Sequence, residues 1–217
     1  MISITINEHD MEWAYELAKA AYDKYKKDAE KKKLVKTRKD DPLSYVVGKL
    51  GEVASWRFLE DNGFLPEPCF AKDDKYPDII TAMPHYVIEV KSWQLYQWNA
   101  EPPLGHSIPI NQFSYMLPRC QLIFWCTVDF QMRTVYGIRD LSDVTGMFKR
   151  YPFTVEIMSY SWAMNLWKPG VWEDVAITNK ANVTLYSKQM TAMAISKYAI
   201  PAEKFVDEIR EKNLHNP

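Results

Sequence analysis

The sequence lacks several features that define large protein classes. Its three cysteines show neither CxxC nor metal-ligand spacing, which argues against a disulfide scaffold or a zinc ribbon. No apolar stretch approaches the roughly 20 residues that cross a bilayer, and the N terminus lacks the charged and apolar regions of a signal peptide. We therefore expect a cytoplasmic protein (or one in a host cytoplasm, if a virus encodes it) with reduced cysteines and no membrane partner.

Several short catalytic motifs are missing as well. The four histidines form no HxxxH or HxH pair, which argues against a zinc hydrolase or an HNH-type nuclease. The sequence contains neither a phosphate-binding GxxxxGK[ST] segment nor a dinucleotide-binding GxGxxG segment, so we expect no nucleotide cofactor. No serine stands in the GxSxG context of an esterase.

Net charge is close to zero, but the charge is unevenly distributed. The sequence carries 27 Lys and Arg against 28 Asp and Glu, yet residues 19–39 contain ten basic residues and three acidic ones. This basic arm could be a solvated, lysine-rich helix end, or it could contact the phosphates of a nucleic acid. The candidate DNA-binding residues are Lys31, Lys32, Lys33, Lys36, Arg38, Lys39 and Lys49.

Capping residues and hydrophobic periodicity predict an α/β or α+β fold. Asn7 is suited to cap a helix that starts near Glu8. A second helix should start at Pro42 and stop at Gly63. Further helices are predicted at 111–117, 141–149 and 201–212, strands at 64–70, 78–82, 86–93, 121–128, 133–138 and 183–186, and a loop at 97–109. The apolar segment 121–128 should be a central strand covered on both faces.

The most informative residues are Asp78, Glu89 and Lys91. Alternate side chains of a strand share a face, so Glu89 and Lys91 should point the same way from an otherwise apolar strand. They could be a solvated ion pair on an edge strand, or a functional charge pair at the end of a central one. A hairpin after Asp78 would bring its carboxylate beside Glu89, where the two would repel each other without a divalent cation. Mg²⁺ suits such oxygen ligands, and a lysine there could hold the attacking water and offset charge on the phosphate.

Glu52 is a third carboxylate that the sequence sets apart. On the second predicted helix it lies nearly opposite the apolar face and close to Gly48 and Gly51. One interpretation is an exposed glutamate beside two tolerated glycines. We favour the other, in which the small residues let this helix approach a metal site or a DNA backbone and Glu52 points into that site.

Pro77-Asp78 followed by Glu89-Val90-Lys91 resembles the motif of the PD-(D/E)XK nuclease superfamily, which has a restriction-endonuclease-like fold. That family tends to carry a glutamate on the helix before these strands, as at Glu52, and often a glutamine on the helix after them, as at Gln112. The resemblance implies a central mixed sheet flanked by helices. It also implies Mg²⁺, or Mn²⁺ in its place, bound by Asp78, Glu89, Glu52 and the Val90 carbonyl. Lys91 would then position the attacking water, and Gln112 would support Lys91 or contact the substrate.

The function implied by this resemblance is that of a Mg²⁺-dependent DNA endonuclease acting on double-stranded DNA, with a homodimer as the default assembly. The catalytic residues would be Glu52, Asp78, Glu89 and Lys91. Residues 1–41 would form an N-terminal helix and basic arm, 42–150 the nuclease core, and 151–217 a C-terminal extension packed on that core. The alternatives are a catalytically silent module that binds nucleic acid or protein, and a junction resolvase, exonuclease or RNA nuclease of the same superfamily. The complete charge cluster disfavours the silent module.

Overall fold

The structure is a computed structural model that describes residues 1–32, 42–71, 77–98, 105–129, 153–171, 174, 176–179, 190–193 and 196–214. The helices are α1 (Glu8–Lys32), α2 (Pro42–Asp61), α3 (Leu95–Trp98), α4 (Ile110–Met116), α5 (Ala163–Trp167) and α6 (Phe205–Leu214). The strands are β1 (Ile2–Ile6), β2 (Pro66–Pro68), β3 (Ile79–Ala82), β4 (His85–Gln94), β5 (Ser107–Pro109), β6 (Leu122–Val128), β7 (Phe153–Trp162), β8 (Ala176–Asn179), β9 (Met190–Met193) and β10 (Ile200–Pro201). Within these parts of the chain, no helix is long and apolar enough to cross a membrane.

The main sheet is mixed and is flanked by helices, as the sequence predicts. Its strand order is β1-β7-β6-β4-β3-β2, and β10 pairs with β7. The β4–β6 pair is parallel, and the other pairs are antiparallel. A second, small sheet has the order β5-β9-β8. The chain is therefore a mixed α/β protein.

Each face of the main sheet carries its own hydrophobic core. On one face, α1, α2 and α6 pack together with Ile88 and Phe124. On the other face, α4 and α5 pack together with Ile123 and Trp125. All seven residues of β6 are buried, which confirms a central strand covered on both sides. The three cysteines are reduced, as predicted, and all three are buried.

Local signals in the sequence account for the start of α1 and the end of α2. The Asn7 side chain accepts a hydrogen bond from the Asp10 N–H at 2.9 Å, and the Asp10 carboxylate accepts one from the Asn7 N–H at 3.2 Å. This reciprocal pair satisfies two of the backbone donors exposed at a helix start. Arg57 of α2 also binds the Asp10 carboxylate at 2.6 Å, which ties the two helices together. At the far end of α2, Gly63 adopts a φ of 81°, the left-handed conformation that commonly ends a helix.

The C-terminal helix joins the larger core through one phenylalanine. Phe205 of α6 is fully buried among four other aromatic rings. Its ring centroid lies 4.9 Å from that of Phe124 and 5.1 Å from that of Tyr160. The rings of Phe64 and Phe58 lie at 5.5 and 5.9 Å. α6 is thereby packed against both α2 and the main sheet.

Close packing between α2 and the sheet depends on Gly51. A β-carbon at Gly51 would lie 1.8 Å from the Ser92 Oγ and 2.9 Å from the Ser92 Cβ. Gly48, one turn earlier on the same helix, has no described atom within 4 Å of such a β-carbon beyond its local neighbours. The prediction that a small residue allows a close approach therefore holds for Gly51, but its partner is the sheet rather than DNA or a metal.

We expect Gly51→Ala to lower the free energy of unfolding by about 1–3 kcal/mol, because the added methyl group overpacks a rigid contact. Ser92→Gly should restore most of that loss, since the Ser92 Oγ is buried without a hydrogen-bond partner in the described structure. Urea denaturation of the single and double variants measures this coupling. Gly48→Ala is the matched control and should be neutral or stabilise by up to about 1 kcal/mol. Equal effects at the two glycines would contradict the packing argument.

Some sequence predictions differ from the structure. β1 and β7 are absent from the predicted elements, although both alternate more buried and more exposed side chains along most of their length. Only Pro66–Pro68 of the predicted strand at 64–70 is extended, because two prolines remove the amide donors that a longer ladder needs. The loop predicted at 97–109 is wrong in part, since it overlaps the end of α3 and contains β5.

Other predictions lie outside the described residues. These are the strand at 133–138, the helix at 141–149 and the strand at 183–186. Among the residues predicted to bind DNA, Lys33, Lys36, Arg38 and Lys39 also fall there. β7 belongs to the segment that we assigned to the C-terminal extension, and it lies between β1 and β6 in the main sheet.

Candidate active site

The candidate site lies where β4 continues beyond its partner β3. β3 pairs with β4 only over His85–Ile88, whereas the parallel partner β6 pairs with Ile88–Gln94. In the described structure, the segment of β4 after Ile88 therefore has a strand neighbour on one side only. Asp78 directly precedes β3 at this step in the sheet, and Glu89 and Lys91 are carried by the extended part of β4.

The Asp78 side chain binds the edge of β4 at the point where β3 no longer pairs with it. Its Oδ2 accepts a hydrogen bond from the Val90 N–H at 2.7 Å. The N–H and C=O of one strand residue point to the same side, so the Val90 carbonyl faces the same edge as the Asp78 carboxylate. The Asp78 backbone is held as well, since its carbonyl accepts the Phe70 N–H at 2.8 Å. The hairpin thus brings Asp78 to Val90, which lies twelve positions further along the chain.

Glu89 and Lys91 form a mostly buried ion pair. The Lys91 Nζ lies 2.7 Å from the Glu89 Oε1, and the two side chains are 18% and 17% exposed. The predicted alternation is confirmed, because Ile88 and Val90 pack into the core beside α2 while both charges leave the strand on its other face. A pair this buried needs further polar partners to offset the loss of hydration, unlike a solvated surface pair.

Glu52 approaches the same cluster from α2. Its side chain is 12% exposed, and its Oε2 accepts a hydrogen bond from the Lys49 Nζ at 2.6 Å. Glu52 lies within electrostatic reach of Glu89, Lys91 and Asp78. The four residues predicted to be catalytic are therefore near one another, although they come from a helix, a turn and a strand.

The pKa shifts follow from burial and from the neighbouring charges. Burial raises the pKa of Asp78 well above its usual range, and the charges of Glu89 and Glu52 raise it further. Burial also raises the pKa of Glu52, against the opposing effect of Lys49. For Lys91, burial alone would lower the pKa, but the surrounding carboxylates outweigh it and the pKa is raised. A cation bound among these carboxylates would favour their charged forms and oppose the rise in pKa.

The donor chemistry of the cluster fits a hard cation. Carboxylates and one backbone carbonyl are the ligands that Mg²⁺ prefers, and it needs only one or two carboxylates in addition to water. Within the described parts of the chain, no three acidic, histidine or cysteine side chains form a ready-made metal group. Glu52 and Glu89 are each bound to a lysine instead. Each lysine contacts one oxygen of its glutamate, so Asp78, the second oxygens of Glu89 and Glu52, and the Val90 carbonyl could hold the ion once the side chains draw closer, with both ion pairs kept.

The remaining predicted residues have varied positions. Gln112 is half-buried in α4, and its support of Lys91 stays a prediction. Lys31 and Lys32 lie in the last turn of α1. Lys49 does not stand free on the surface, because its side chain is 16% exposed and its ammonium is bound within the cluster.

Two residues near the site were not predicted to belong to it. Lys49 was assigned to DNA, although its spacing of three residues from Glu52 is a known helical pairing distance that could have revealed the contact. Cys120 is buried close enough to the cluster for the charges of the cluster to affect its pKa. Burial, together with the charge of Glu89, raises the pKa of Cys120 to about 12, so this thiol is uncharged at neutral pH. No pattern in the sequence links Cys120 to the motif.

These features belong to a chain for which no family model matches, and comparison with curated proteins and with solved structures likewise finds no match.

Proposed function

We propose that this protein is a Mg²⁺-dependent DNA endonuclease and that α2, β3, β4, α4 and β6 form a restriction-endonuclease-like core. One observation carries the proposal. The Asp78 carboxylate is bound to the N–H of Val90, between Glu89 and Lys91, at a sheet edge that β3 does not cover. A region with a purely structural role rarely keeps three ionisable side chains in so buried a position.

Asp78, Glu89, Glu52 and the Val90 carbonyl would hold Mg²⁺ in this site. A bound Mg²⁺ would polarise the phosphodiester and make the attacking water more acidic. Lys91 has its ammonium anchored by Glu89 at 2.7 Å, so it can hold that water by a hydrogen bond and offset the charge that develops on the phosphate. In-line attack would break the bond between phosphorus and the leaving oxygen, and this family resemblance implies a 5′-phosphate product.

The choice of DNA rests on the basic arm. Lys31 and Lys32 end α1, next to further basic residues in the sequence. Lysines in such a segment would neutralise phosphates without reading base sequence. Double-stranded DNA, a homodimer, and endonuclease rather than exonuclease activity are parts of this same proposal.

We expect the purified protein to convert supercoiled DNA to nicked and linear forms with Mg²⁺ or Mn²⁺, and to leave it intact with EDTA. Parallel reactions on linear, single-stranded and branched DNA and on RNA define the substrate, and mapping of the ends defines the bond that is broken. Loss of linear DNA from its ends, with circles untouched, would indicate an exonuclease. Cutting that continues in EDTA would contradict the proposed metal dependence.

The silent binding module is a second candidate, and one observation favours it. Glu52 and Glu89 are each paired with a lysine, so the cluster partly balances its charge without a cation. Calorimetric titration of the protein with Mn²⁺ separates the candidates. The nuclease should bind Mn²⁺ and lose affinity in Glu89→Ala, whereas no binding, or binding unchanged by that substitution, would support the module.

A further inference from the structure

A chain of hydrogen bonds connects the carboxylates of the candidate site through Lys49. The Lys49 Nζ donates to the Glu52 Oε2 at 2.6 Å and to the Phe70 carbonyl at 3.1 Å. The Phe70 N–H donates to the Asp78 carbonyl at 2.8 Å, and the Asp78 carboxylate accepts the Val90 N–H at 2.7 Å. Four separate segments of the chain are joined in this way.

Lys49 is held on several sides. Its side chain is only 16% exposed, and its ammonium lies 5.7 Å from the centre of the Phe70 ring. Two acceptors, one of them charged, therefore fix the position of the ammonium. A lysine that served a DNA phosphate would instead need its ammonium free to reach outward.

The geometry points to Lys49 as a positioning residue for the metal site rather than a DNA contact. Lys49 binds one oxygen of Glu52, which sets the direction of the other, and it links Glu52 to the turn that holds Asp78. Hydrogen-bonded partners of metal-binding carboxylates typically account for 10–100-fold in metal affinity or activity. The inference rests on the proposed function, since it assigns Lys49 to the Mg²⁺ site described above.

Mn²⁺ binding to the DNA-free protein tests this role without relying on cleavage. We expect Lys49→Met, which keeps most of the side-chain length but removes the charge, to weaken Mn²⁺ binding by about 10–100-fold in calorimetry. In a Glu52→Gln background, Lys49→Met should change the affinity by no more than about twofold, because Lys49 acts through Glu52. Lys197→Met is the control, since Lys197 pairs with Asp174 at 2.7 Å but is 56% exposed.

The possible results separate the positioning role of Lys49 from the proposed nuclease activity. Unchanged Mn²⁺ affinity in Lys49→Met, together with weaker and less salt-dependent DNA binding, would overturn the positioning role and leave the proposed nuclease intact. Wild-type protein that binds Mn²⁺ but cuts no DNA would overturn the nuclease, while the effect of Lys49 on Mn²⁺ still decides the inference. Wild-type protein that binds no Mn²⁺ would overturn both. If Lys49→Met does not fold, Lys49→Gln replaces it, and wild-type affinity in that variant would overturn the role.

Discussion

Asp78→Asn will reduce Mg²⁺-dependent cleavage by about 10³-fold or more while leaving the protein folded. The loss follows because the proposed function assigns this carboxylate to Mg²⁺, and removing a charged metal ligand costs several kcal/mol in the transition state, at about 1.36 kcal/mol for each factor of ten. The fold should survive because the amide oxygen of an asparagine can still accept the Val90 N–H that the Asp78 carboxylate accepts in the wild type. Single-turnover rates at saturating Mg²⁺ and thermal unfolding measure the two effects separately.

A matched substitution elsewhere in the chain controls for the chemical change. Asp174 accepts hydrogen bonds from Lys197 and Tyr198 and is 44% exposed, so Asp174→Asn alters an equally well-bonded aspartate away from the cluster. Its cleavage rate should stay close to that of the wild type. Wild-type cleavage in Asp78→Asn, or in Lys91→Ala, would remove the basis for the nuclease assignment.

Phe205→Ala will lower the free energy of unfolding by about 3–5 kcal/mol, the usual cost of truncating a fully buried phenylalanine. The ring contacts α2 through Phe58 and the main sheet through Phe124, so its loss leaves a cavity between the C-terminal helix and the rest of the core. A change of this size is a large part of the stability of an ordinary domain. The fraction of Phe205→Ala molecules that remains folded should cleave DNA at close to the wild-type rate.

Urea denaturation followed by tryptophan fluorescence measures this effect, with the midpoint shifting and the slope unchanged. Met164→Ala is the control, because Met164 is a large apolar residue that is 64% exposed. It should change stability by less than about 0.5 kcal/mol. A loss below about 1 kcal/mol in Phe205→Ala would mean that α6 is only loosely attached to the core.

The sequence was most informative where contacts are local. Asn7 marks a helix start by accepting a hydrogen bond with its side chain, and Gly63 marks a helix end by its positive φ. Asp78 reaches Val90 because a short hairpin brings them together. No local pattern of this kind could predict that β1 pairs with β7. Ile2 lies opposite Ile157, a distance along the chain at which no turn or cap indicates the partner.

The supporting contacts of the candidate site were also beyond local patterns. The Glu52–Lys49 pair has helical spacing, but the Phe70 carbonyl that completes it comes from the turn after β2. Position 51 needs a glycine because any side chain there would clash with Ser92. Ser92 lies 41 positions further along the chain and contacts Gly51 only when α2 packs on β4. The sequence therefore predicted which side chains meet at the candidate site better than it predicted the contacts that hold them in place.

The step between β3 and β4 has a consequence for aggregation. An uncovered strand edge offers backbone groups to which another chain can add a strand, and folded proteins block such edges with charge or with competing hydrogen bonds. Asp78 occupies the Val90 N–H, and Glu89 and Lys91 place charges beside it. The side chains that form the candidate site would then also keep this edge from pairing with a second molecule, and their joint replacement by apolar residues would favour assembly into β-rich aggregates.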